Sequence, residues 1–117
     1  MSFRFLNNLT YEQLRQFTKD IFSFTGKLPS HENAGLILQM RTQATNLLQD
    51  YTEAFARVSD TAAEESVKKC IVTAGKIAAL IDLCHQLGYT TASTRSKCIL
   101  ICEDLTKRLY ATQKSLK

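Results

Sequence analysis

Apolar side chains recur every three or four residues through most of this chain, the period of an α-helix with one buried face. Leu14, Phe17, Ile21 and Phe24 form the first stripe. Thr10 and Gln13 have capping-box spacing ahead of it, and Leu9 is placed to staple onto Leu14. Gly26 stands where a left-handed C-cap belongs, just before Pro29. The second stripe runs through Ile37, Met40, Ala44, Leu47, Tyr51, Ala54 and Val58, broadened by Leu36, Leu38, Leu48 and Phe55. Ser59 and Asp60 supply the next N-cap, before a third stripe that includes Val67, Cys70, Ala74, Ile77, Ile81 and Cys84 and stops at Gly88. Thr90 and Thr91 restart the chain, and Cys98, Ile101, Cys102, Leu105, Leu109 and Leu116 line the last core face.

This punctuation predicts helices over residues 11–25, 31–57, 61–87 and 92–114. Short connections force antiparallel neighbours, so the expected fold class is all-α, an antiparallel up-and-down four-helix bundle. Residues 1–117 form one domain, with a short N-terminal arm over 1–9 whose Phe3, Phe5 and Leu6 dock on the bundle. Val72, Leu80, Leu83, Leu87, Ile99 and Leu100 lie off the core stripes. A bundle has one interior, and leftover apolar surface marks an interface, so a homo-oligomer is expected.

Charge sharpens the picture at one end. Residues 1–90 carry nine basic and nine acidic side chains, which cancel. The whole net charge of +4 sits on residues 91–117, where Arg95, Lys97, Lys107, Arg108, Lys114 and Lys117 face only Glu103 and Asp104. Such asymmetry fits a polyanion-binding surface, and it also fits a solvated helix with lysines at the end its dipole favours. No apolar run of signal-peptide length follows Met1, and Lys76 and Asp82 interrupt the most apolar stretch, residues 70–84. The expectation is a cytoplasmic protein, not a membrane one, with reduced cysteines.

Catalytic and metal chemistry find little support. Cys98 and Cys102 are four apart on one helix, and Cys84 with His85 ends its antiparallel neighbour, a donor set that could hold zinc. Both cysteine pairs lie in core stripes, however, where a free thiol acts as a small hydrophobe. They are read as metal-free core residues. Cys84 and His85 diverge by about 100° as adjacent helical residues, which rules out a nucleophile–base pair. His85 is read as a partly buried, hydrogen-bonded residue. The glycines are isolated and form no phosphate loop. No cofactor is expected, and the chain is read as no enzyme. Glu53 and Arg57 have ion-pair spacing, and Arg41 lies three turns earlier on a nearby face, so the three are a candidate charged lining or interface site.

Residues 28–59, with Leu28-Pro29, Gly35-Leu36, Gln39, Arg41, Ala44, Glu53, Phe55, Arg57 and Ser59, resemble the bacterial "four helix bundle protein" family. That family is encoded in intervening sequences of large-subunit ribosomal RNA genes and was once labelled ribosomal-protein-like. The likeness continues through Leu87-Gly88-Tyr89 to Lys117, at scattered positions. Departures fall at Leu48, Asp50, Ala54, Ala56, Val72, Lys76 and Ala78. The resemblance implies a four-helix bundle assembled into a ring, a pentamer, of the fold shared with accessory proteins of diversity-generating retroelements. Two functions follow as expectations. One is a non-enzymatic ring-forming protein that binds RNA or another nucleic acid through its basic side chains. The other is a purely structural or protein-binding homo-oligomer, with Leu80, Leu83, Ile99 and Leu100 at its interface.

Overall fold

The computed structural model describes residues 4–56 and 59–115. Four α-helices occur among the described residues: α1 (Leu9–Thr25), α2 (Leu36–Ala56), α3 (Asp60–Gln86) and α4 (Ala92–Ser115). Two 3-10 turns, Arg4–Asn7 and Ser30–Glu32, precede α1 and α2, and no strand occurs among the described residues. None of the helices is long and apolar enough to cross a membrane.

Cross-helix bonds give the chain directions. The hydroxyl of Tyr51, late in α2, donates to Asn8 at the head of α1 over 3.1 Å, while Arg41, early in α2, reaches Thr25 at the foot of α1. Ser66, early in α3, meets Glu53 late in α2, and Cys84, late in α3, meets Met40 early in α2. Consecutive helices therefore run antiparallel, in a bundle of 43 × 25 × 21 Å. Leu14, Met40, Leu47, Ile77, Ile81 and Leu109 are wholly or almost wholly enclosed at its centre. Each contributes about 1.5–3 kcal/mol by leaving water.

The helix ends depart from the sequence reading in definable ways. Asn8, not Thr10, caps α1: its Oδ1 accepts from Tyr11 N at 3.0 Å, while Thr10 is buried inside the helix. With Asn8 as the cap, Leu9 is the first helical residue rather than the N′ position a staple needs, and it is 58% exposed. Gly26 closes α1 in the right-handed region, at φ −62°, rather than as a left-handed cap. The stretch expected to open α2 at His31 is a 3-10 turn, and the α-helix begins at Leu36.

Gly88 does adopt the left-handed conformation, φ +79°, where a side chain would be strained. Tyr89 N donates to Cys84 O and Gly88 N to His85 O, a Schellman pair that satisfies the last carbonyls of α3. Ser59 Oγ caps α3 through Ala62 N, and Thr91 Oγ1 caps α4 through Thr94 N.

Core membership also differs at single positions. Leu38 is 55% exposed rather than part of the α2 seam, and Ile101 is 37% exposed rather than on the α4 core face. Cys98 is only half-buried, whereas Ile99 and Leu80, placed off the stripes, pack half-buried against the core. Phe5 packs its ring edge on Tyr11 at 5.1 Å and so docks the arm, but Leu6 is exposed. Phe3, Val58 and Leu116 lie outside the described residues.

Candidate interaction surfaces

α4 is the helix least committed to the core: only Cys102, Leu105 and Leu109 are buried on it. Its contact with α1 is the sparsest of the four helix–helix contacts. The two helices leave a groove of about 660 Å³ between them. Phe17, Ile101, Leu105 and Ala111 supply its apolar walls, with Asp20 and Asp104 and then Lys107 and Arg108 along its rim.

Two of the six expected nucleic-acid-binding side chains therefore share a groove with acids. Lys97, Lys107, Arg108 and Lys114 are exposed and make no ion pair within 4.0 Å with another described residue. Arg95 is different: its Nε donates to Asp82 Oδ1 at 2.7 Å, tying the start of α4 to the end of α3. Lys117 lies outside the described residues.

Of the charged trio, Arg41 and Glu53 stand near opposite ends of α2. Arg41 Nε donates to Thr25 Oγ1 at 2.8 Å and Nη2 to Phe22 O at 3.3 Å, and its guanidinium sits 4.8 Å from the centre of the Phe22 ring. It closes the C-terminal turn of α1, where free carbonyls and the helix dipole favour a cation. Glu53 stands at the other end of α2 and accepts from Ser66 Oγ at 2.9 Å. Arg57 lies outside the described residues.

Among the expected interface residues, Leu83 and Leu100 are 42% and 57% exposed, joined by Val72 at 57% and Leu87 at 49%. Val72 also lines a second cleft, of about 470 Å³, where Lys68, Lys69 and Lys76 gather with Asp50 and Glu65. Sequence reasoning missed it, because those lysines belong to residues 1–90, whose charges cancel in number. Burial holds the Asp50 carboxyl above its ordinary value, helped by Glu53 and opposed by Lys69.

The thiols are chemically quiet. Burial pushes Cys70 and Cys102 up to about 12, and it also raises Cys84 and Cys98. Little thiolate, the form that attacks or ligates, exists at neutral pH under those conditions. Among the described residues no group of three or more His, Cys, Asp and Glu side chains converges on a possible metal position. His85 is partly buried as expected, but its Nδ1 has no hydrogen-bond partner among the described residues. The other histidine joins a small polar cluster. Tyr89 OH donates to Glu32 Oε2 at 2.9 Å, leaving His31 Nε2 to donate to the same hydroxyl at 3.1 Å. Glu32 Oε1 also accepts from Leu36 N, so this cluster ties the α3–α4 corner to the start of α2.

Compared with protein-family models and with curated proteins, the chain matches none.

Proposed function

We propose that this chain is a non-enzymatic, homo-oligomeric helical bundle that works through its contact surfaces. The observation that carries this reading is the set of large apolar side chains left outside the one core, above all Val72, Leu83, Leu87 and Leu100. Water-exposed apolar area of this kind is relieved by burial against another protein surface. The family resemblance adds a closed, pentameric ring. Light scattering of the purified chain tests the reading, which expects an oligomer at micromolar concentration and fails on a monomer.

A second reading, RNA or other nucleic-acid binding, is favoured by one observation: Lys97, Lys107, Arg108 and Lys114 are exposed on α4 without ion-pair partners among the described residues. Tyr110 is the one aromatic side chain on α4, so contacts would go to phosphates rather than stacked bases. Titration of structured RNA at rising salt tests it. Counterion release makes log affinity fall linearly with log salt, and no binding at low salt leaves only the first reading.

A further inference from the structure

The α1–α4 groove has a pattern that selects its own partner. Its walls are apolar and its rim is polarised along the helix: Asp20 and Asp104 mark one stretch, Lys107 and Arg108 the next turn. Asp20 lies near enough to Cys98 to help raise that thiol, which places it toward the N-terminal half of α4. Along the outside of α4, Lys97, Leu100, Asp104, Lys107, Ala111 and Lys114 follow one another at alternating spacings of three and four, and every one is exposed. That is the spacing of a helix–helix seam.

The order of residues within the stripe is nearly self-complementary. About a midpoint between Leu105 and Thr106, Asp104 is the mirror position of Lys107, and Leu100 that of Ala111. Two copies laid antiparallel about a two-fold axis through that point set each Asp104 against Lys107 of the other copy. The same arrangement sets Leu100, which is 57% exposed, against the small Ala111. A parallel arrangement in register sets Asp104 on Asp104 and Lys107 on Lys107, which opposes association. The Lys97–Lys114 juxtaposition falls at the two outer ends, where water and salt screen it.

We propose that this groove and the outer stripe of α4 are the contact through which two copies of the chain pair, antiparallel about a two-fold axis. The inference rests on the self-association reading and specifies its geometry. A two-fold contact is isologous and stops at a dimer. A pentameric ring would need a second, head-to-tail surface, and α3 offers exposed Val72 and Leu83 for one. Pairing also engages Lys107, so polyanion binding through that side chain and pairing compete.

Sedimentation equilibrium at low salt, on the full chain and three variants, tests the proposal. Asp104→Lys and Lys107→Asp each turn two attractive contacts into repulsive ones and should weaken pairing roughly tenfold or more. The double variant D104K/K107D restores opposite charges across the axis and should recover pairing, a rescue that a folding defect would not show. Circular dichroism of each variant confirms an intact bundle. A monomeric wild type would overturn the proposal together with self-association. An oligomer that both single variants leave intact, or a double variant that stays weak, overturns the α4 contact while self-association stands.

Discussion

Arg95 and Asp82 form the shortest ion pair among the described residues, 2.7 Å between Nε and Oδ1, and it clasps α4 to α3 beside the Gly88 corner. Arg95 thus has an ion-pair partner inside the molecule, whereas Lys97, Lys107, Arg108 and Lys114 have none among the described residues. Arg95→Gln should lower stability by about 0.5 kcal/mol, since both partners are a third or more exposed and water screens them. The same change should alter RNA affinity less than Lys107→Gln or Lys114→Gln does. A thermal melt and a salt-dependent RNA titration on the three variants check both expectations.

Arg41 is a structural cation by geometry. It donates to the Thr25 hydroxyl and the Phe22 carbonyl and lies over the Phe22 ring, so one side chain finishes α1 from the neighbouring helix. A lysine keeps the charge but not the planar fork that makes these contacts together. Arg41→Lys should therefore destabilise by about 1 kcal/mol, and Arg41→Ala by about 2 kcal/mol. Urea unfolding with an unchanged m-value would show the loss to be one of stability.

How far the sequence carried depends on what periodicity encodes. The four helices, Ser59 as a cap and Gly88 as the stop of α3 were legible because each is a local signal, whereas the left-handed conformation expected at Gly26 falls at Gly88 instead. The spacing of Thr10 and Gln13 is that of a capping box, a local rule that points to Thr10 alone. The structure selects Asn8, whose Oδ1 also accepts from Tyr51, 43 residues away. Arg41 shows the same limit, because its partners lie on another helix. Spacing says which face of a helix is apolar, but not how closely two helices approach. Ile101 could therefore be read as core when it lines the open groove between α1 and α4. The lysines of the α3 cleft were hidden for a different reason, since a running charge count ignores which residues share a face.

Alkaline pH should unfold the bundle through its thiols. Burial raises Cys70 and Cys102 from an ordinary value of 9.0 to about 12. A group whose folded pKa is raised contributes stability that is fully present below its unfolded pKa and lost as pH climbs through the folded one. A displacement of that size is on the order of 4 kcal/mol for each thiol. Tyr51, raised chiefly by burial, adds to the loss in the same direction. Far-UV circular dichroism should thus be flat to about pH 9 and fall towards pH 12, the window set by those shifts. Cys70→Ala should move the transition to higher pH; an unchanged midpoint would count against a buried thiol as its cause.

Asp50 works with the opposite consequence at neutral pH. Its carboxyl is raised above 3.8, chiefly by burial and then by Glu53, while Lys69 pulls it back. A raised carboxyl favours the protonated form in the folded state. Its contribution to stability is present below the unfolded pKa and is lost as pH rises, so at neutral pH ionised Asp50 weakens the bundle. Asparagine is close in size and never ionises. Asp50→Asn should therefore raise the melting temperature at pH 7, modestly because the site is partly open to water, and the gain should vanish as pH falls below 3.8. Melting curves of wild type and variant across that range decide the matter. A variant less stable than wild type at pH 7 would mean that the attraction of Lys69 outweighs burial and the repulsion of Glu53.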